Sequence, residues 1–185
     1  MLILDTDHLS VLQRPTTPAA VALNERLLTA PDHDIVTTVV SFEEQLRAWL
    51  NVIGRYADVS RQVTYYERLA GLAGFFHRWR MLPFDDAAAQ EFKRLRHERI
   101  RIGTADLKIA AIALTYQGTL LTSNLRDFDQ VPGLRVEDWL YGVPYLTRRF
   151  GSACARPAKP ARRQKSPGWR EWFHPGAQHS AAVAD

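Results

Sequence analysis

The chain has 185 residues, of which 46% are hydrophobic and 24% charged, with a formal net charge of +4; this describes an ordinary soluble protein with enough chain for one sizeable core. No apolar run approaches membrane-spanning length and the N-terminus lacks the basic start of a secretory signal, so a cytoplasmic protein without a membrane partner is expected. The single Cys154 excludes an intramolecular disulfide framework and a cysteine-based zinc site.

The charge is unevenly spread. Residues 1–147 hold 16 basic and 18 acidic side chains, and residues 148–185 hold 8 and 2. The basic character therefore belongs to the tail, and it does not mark the folded part as a basic nucleic-acid binder. Pro157, Pro160, Pro167 and Pro175 with scattered Ala leave the tail little to bury, so a domain over 1–147 followed by a disordered segment is expected.

In chain order, Leu2, Ile3 and Leu4 read as a strand buried on both faces of a parallel sheet, ending in Asp5 and Asp7. Ligand sites of open α/β sheets lie just outside the carboxyl ends of strands, where an Asp is a candidate metal ligand or base. Taken alone, the pair is better explained as an N-cap of the segment that follows. Residues from His8 to Arg14 predict a short helical turn, and Thr17-Pro18 a cap and N1 proline for a helix carrying Val21, Leu23, Leu27 and Leu28. Ile35 to Val40 predicts a second strand, and Ser41 with Glu44 three residues later has the spacing of a capping box.

Asp58 to Trp79 predicts a long aromatic-rich helical region, Met81 to Phe84 a third strand, and Asp85-Asp86 the cap of the helix after it. That helix ends in a run of basic residues that includes Arg96, Arg99 and Arg101, either a solvated face or a surface for RNA phosphates. Thr104 predicts the N-cap of an apolar helix over 105–117, with Gly118 at its C-terminal turn; Asp106 falls in its first turn, where any helix favours an anion. Thr119 to Ser123 predicts a fourth strand, followed by Asn124 and Asp127, and Arg135-Val136 an edge strand. Strands alternating with helices predict an α/β fold with a mainly parallel sheet of four to five short strands.

Asp5, Glu44, Asp106 and Asp127, with Ser123 and Asn124, are thus expected at strand ends or helix starts along one edge. Grouped oxygen ligands of this kind suit Mg²⁺ or Mn²⁺. The segments Leu-Asp-Thr-Asp, Ser-Phe-Glu-Glu-Gln-Leu, Gly-Thr-Ala-Asp-Leu-Lys-Ile-Ala-Ala and Leu-Thr-Ser-Asn-Leu-Arg-Asp-Phe, in that order over roughly residues 1–140, resemble the four motifs of PIN domains, in particular those of VapC-type toxins of bacterial type II toxin–antitoxin pairs.

That resemblance implies an α/β/α sandwich, a Mg²⁺-dependent endoribonuclease (Mn²⁺ as alternative), and a cognate antitoxin that holds it inactive; a homodimer is expected as well. Asp5 would match the first acid, Glu44 the second and Asp106 the third, and these three would hold metal. Asn124 falls at the fourth position, where many relatives carry Asp, with Asp127 one helical turn later as its alternative; Asp7 stands where Asn is common. Arg96, Arg99, Arg101 and Ser123 are candidates to hold substrate phosphates. A non-catalytic PIN module and a DNA-cutting nuclease stay open. A phosphoacceptor receiver would need its Asp at the end of a central strand and a Lys ending a later one, whereas Phe84 and Ser123 end those available.

Overall fold

The computed structural model describes residues 1–31 and 34–140, and the proposed disordered tail, with Cys154, lies outside them. Five strands, β1 (Leu2–Leu4), β2 (Ile35–Thr38), β3 (Met81–Leu82), β4 (Thr119–Leu121) and β5 (Arg135–Glu137), form one sheet in the order β3-β2-β1-β4-β5. Every neighbouring pair is parallel, with Ile3 opposite Val36 on one side and Leu120 on the other. Among the described residues the helices are α1 (Thr6–Leu12), α2 (Pro18–Leu28), α3 (Val39–Ile53), α4 (Val59–Phe76), α5 (Asp86–His97), α6 (Thr104–Thr115) and α7 (Leu125–Phe128).

Alternation along the strands explains the unbroken apolar runs. Ile3, Val36 and Leu120 pack with Leu95 of α5, Leu107 and Ile109 to Ala113 of α6, and Phe128 of α7. Leu2, Leu4 and Leu121 point the other way, into Leu9, Leu23, Leu27, Leu72, Phe75 and Phe76 of α1, α2 and α4. Both faces of the sheet are covered, so both sets of side chains are apolar. The result is the expected three-layer α/β/α sandwich, and its sheet is wholly parallel. Helix α3 serves both layers, with Val40 on one side and Phe42, Leu46 and Trp49 on the other.

The chain winds outward from β1 through β2 to β3, then returns to place β4 on the other side of β1. The strand order therefore reverses between β1 and β4, and ligand sites of open α/β sheets lie outside the carboxyl ends of the strands at such a switch point. Asp5 leaves β1 there, and Thr122, Ser123 and Asn124 leave β4 there.

Several boundaries differ from those the sequence predicts. Helix α3 begins at Val39 because the Thr38 hydroxyl accepts the Ser41 N–H at 3.0 Å. Val39 and Val40, β-branched and strand-like in isolation, form its first turn, and the capping-box reading of Ser41 and Glu44 fails. The cap of α6 is Gly103, without a side-chain bond, and Thr104 is already helical. At the other end of α6 it is Gln117, at φ 53°, that takes the left-handed turn. Gly118 is favoured for a different reason: a Cβ on it would collide with Ile3 Cδ1 in the centre of the sheet. The β3 strand stops at Leu82, short of Phe84. The Asp85 cap of α5 stands as predicted, its carboxylate accepting the Ala88 N–H at 2.9 Å.

Candidate active site

Asp5 is both the N-cap of α1 and a buried carboxylate at the exit of β1. Its Oδ1 accepts the Thr6 N–H at 2.7 Å and its Oδ2 the hydroxyl of Thr122, itself fully buried, at 2.8 Å. The capping and functional readings of this residue are therefore not alternatives. The cap fixes the side chain, and burial next to other acids makes it costly to ionise.

Thr6 serves a second carboxylate. Its hydroxyl donates to Glu44 Oε2 at 2.6 Å, which draws the second turn of α3 onto the start of α1. Asp106 enters from the first turn of α6 and accepts no hydrogen bond among the described residues. Asn124, at the N-cap of α7, donates through Nδ2 to Asp127 Oδ2 at 3.1 Å, so the two candidates for the fourth position are joined. Asp7 is turned toward β4, where its Oδ2 accepts the Ser123 N–H; its Oδ1 meets His8 Nδ1 at 2.8 Å.

The electrostatics follow from this packing. Burial, then the charge of Asp7, pushes the Asp5 carboxyl well above the usual carboxylate range. Glu44 is raised by burial and by the charges of Asp106, Glu43 and Asp7, against the Thr6 hydroxyl bond. Asp106 is raised by burial and by Asp127 and Asp7. Asp7 goes the other way: burial works upward, but the bond and charge of His8 and the Ser123 N–H hold it low. No Arg or Lys among the described residues pairs with Asp5, Glu44, Asp106 or Asp127.

This donor set fits a hard divalent cation, being all oxygen with mutual repulsion that a cation would relieve. No three Asp, Glu, His or Cys side chains among the described residues close into a ready-made cage. Magnesium tolerates such openness, since it keeps several waters and typically uses one or two carboxylates together with substrate phosphates.

Of the residues predicted from sequence, Glu44 lies within electrostatic reach of both Asp5 and Asp106, and Asp127 within reach of Asp106. The arginines form no part of the carboxylate set. Tyr116, just past α6, donates its hydroxyl to Asp85 at the start of α5 at 2.7 Å, so the two helices run antiparallel. The basic end of α5 therefore lies with the start of α6. There Arg96, Arg99 and Arg101 are exposed and make no salt bridge among the described residues, and Arg99 takes a left-handed turn at φ 59°.

Sequence reasoning missed Thr6, Thr122 and His8 as members of the site. The Thr122 hydroxyl and Asp5 are 117 positions apart, and only the β1–β4 pairing brings them together.

A model of the PIN domain matches residues 2–134. The chain is 39% identical over 75 residues to a tRNA(fMet)-specific endonuclease VapC of Salmonella typhimurium, a match covering 38% of this chain and 57% of that protein. It is 43% identical over 60 residues to a ribonuclease VapC of Rickettsia bellii, covering 30% and 45%. The chain thus spans about half the length of the curated relatives it matches. Among solved structures, VapBC-1 of nontypeable Haemophilus influenzae superposes with a TM-score of 0.59 at 19% identity, covering 76% of this chain and 98% of that one. FitAcB of Neisseria gonorrhoeae does so at 0.54 and 23%, covering 74% and 96%. At these identities the structures establish the fold alone, but the family match runs through every strand up to β5 and through all the predicted site residues, and the chain belongs to the PIN domain family.

Proposed function

We propose that this protein is a Mg²⁺-dependent endoribonuclease of the VapC type, the toxin of a toxin–antitoxin pair. The observation that carries the reading is the set of carboxylates at the β1–β4 switch point, raised by burial and by one another and answered by no Arg or Lys among the described residues. Its support from relatives is the naming of two similar proteins as VapC nucleases, one specific for tRNA(fMet), and of a structural neighbour as a VapBC complex.

Asp5, Glu44 and Asp106 would hold Mg²⁺, or Mn²⁺ by the same oxygen chemistry. The bound ion supplies a water of lowered pKa and charge neutralisation at the scissile phosphate. The chain's own residues do the rest. Thr6 and Thr122 fix Asp5, and Thr6 also fixes Glu44, so the acids are placed before substrate arrives. Asn124 and Asp127 form the outer part of the same cluster. Arg96, Arg99 and Arg101, with Ser123 at the β4 exit, are assigned to the phosphates flanking the cut, where exposed guanidinium groups can pair with them. A cognate antitoxin that covers the acidic edge and a homodimer belong to the same reading. No helix among the described residues is long and apolar enough to cross a membrane.

The test is incubation of the purified chain, free of antitoxin, with total RNA and with single-stranded DNA, in Mg²⁺ and in EDTA. Cleavage of RNA in Mg²⁺ alone is expected. Equal cleavage in excess EDTA would remove the metal from the account. Cleavage of DNA but not RNA would reassign the substrate, and cleavage of neither would leave a non-catalytic PIN module.

A further inference from the structure

His8 is completely buried, and both of its ring nitrogens are used. The backbone N–H of Trp139 donates to Nε2 at 3.2 Å, so Nε2 is bare and Nδ1 carries the proton. That proton faces Asp7 Oδ1 at 2.8 Å, while Asp7 Oδ2 accepts the Ser123 N–H. A continuous hydrogen-bonded path thus joins the exit of β5, the first turn of α1 and the exit of β4.

Residues 137–140 are seated by further contacts. The Arg26 guanidinium lies 4.1 Å over the Trp139 ring, and the indole N–H donates to Glu137 Oε2 at 2.7 Å. Trp139 and Leu140 pack against the apolar cluster of α1, α2 and α4. Asp138, whose Oδ1 is 4.0 Å from His8 Nε2, accepts the Leu140 N–H at 2.9 Å and the Ser123 hydroxyl at 3.4 Å. The segment leaves β5, beyond residue 134 where the family match ends, and reaches α1 and α2 beside the carboxylates.

We propose that His8 is a positioning residue that couples residues 137–140 to the acidic edge: it locks Asp7 onto the exit of β4 with one nitrogen and fastens the segment with the other. Seating of the segment and placement of the Asp7 carboxylate then rise and fall together. Because the Asp7 charge acts on Asp5, Glu44 and Asp106, its placement matters to the whole set. The consequence for cleavage rests on the nuclease reading above; the coupling does not.

Amide hydrogen exchange of the full chain, read at Ser123 and Trp139, tests it. In His8→Gln the amide oxygen can take the place of Nε2 and accept from Trp139, but no side chain then donates to Asp7 Oδ1, which keeps only the backbone N–H of residue 8. Exchange should quicken about tenfold at Ser123 and stay slow at Trp139. His8→Asn, which can donate in place of Nδ1, should give the reverse. Asp7→Ala does not alter any group touching Trp139, yet it should quicken exchange at Trp139 about tenfold by freeing His8. An unchanged Trp139 amide in Asp7→Ala would overturn the coupling, and this holds even if both His8 variants fail to fold. A ring ¹⁵N spectrum showing the proton on Nε2 would overturn it as well. If the wild-type chain cuts RNA, His8→Gln should lower kcat about tenfold with KM within about twofold, and His8→Asn should restore most of kcat; wild-type kcat in His8→Gln would remove the positioning role. If the wild-type chain cuts nothing, the nuclease reading fails and the exchange data decide on the coupling by themselves.

Discussion

At the amino edge of the sheet Asp34 meets Arg80 at 2.6 Å, and Asp85 is held by the Ala88 N–H and the Tyr116 hydroxyl; at the carboxyl edge Asp5, Glu44, Asp106 and Asp127 gather with no Arg or Lys among the described residues paired to them. The same residue type thus has opposite energetics at the two ends of one fold. Hydrogen bonds keep Asp85 below the usual carboxylate range, whereas burial and like charge lift Asp5, Glu44 and Asp106 above it. Charges that only hold a fold together are found with partners. A cluster kept in an unfavourable state marks a place that something else can complete, which in the function proposed above is a cation and a phosphate.

The largest effect expected from breaking this contrast is at Asp5. Asp5→Asn keeps an oxygen acceptor for Thr6 or Thr122 and so keeps the fold, but it removes the most deeply buried charge of the set. RNA cleavage should fall by at least about 100-fold, the low end of what removal of a group at a reacting centre costs, in a protein whose circular dichroism is unchanged. Residual activity close to wild type would separate Asp5 from the chemistry.

Gly118→Ala attacks the opposite edge. Its new Cβ would collide with Cδ1 and Cγ1 of the fully buried Ile3, so the side chain or the strand must shift. A loss of about 1–3 kcal/mol is expected in denaturant unfolding, with cleavage intact at temperatures where the variant stays folded.

Acidification sharpens the contrast more gently. Asp5, Glu44 and Asp106 bind protons more tightly folded than unfolded, so in metal-free protein stability falls as pH rises from the ordinary carboxylate range of roughly 4 through their raised values. Asp7 and Asp85 have the opposite sign, but their window lies below that range. The metal-free melting temperature should therefore increase as pH is lowered from 7 toward the upper end of the carboxylate range, and a decrease over that interval would contradict the assignment. The smallest effect is expected from Arg80→Ala, which removes a half-exposed pair with Asp34. Unfolding should shift by no more than about 1 kcal/mol, and cleavage not at all.

What the sequence showed and what it hid divide along the same physical line. All five strands and the placement of the acids at one edge were legible, because short apolar runs ended by polar residues have few other uses in an α/β chain. The caps were not. Thr38 and Ser41 both offer a hydroxyl, and only the fit of α3 against the sheet selects the former. Glu44 therefore looked like half of a capping box when its actual partner is Thr6, 38 positions away. The same distance problem hid Thr122 behind Asp5 and Trp139 behind His8. Local rules read local partners, and the site is assembled from remote ones.

Asp106 tests the central claim most directly, since its charge could simply favour the start of α6. Thermal unfolding of wild type and Asp106→Asn, each with and without Mg²⁺ at neutral pH, separates the two roles. If Asp106 belongs to a repelling set completed by a cation, the variant is as stable as wild type without metal, or more so. In that case Mg²⁺ raises the melting temperature of the wild type only, by binding the folded state alone. An Asp106→Asn protein that is less stable by roughly 0.3–1 kcal/mol without metal, and that still gains stability from Mg²⁺ as wild type does, would make Asp106 a helix-start residue and contradict the site.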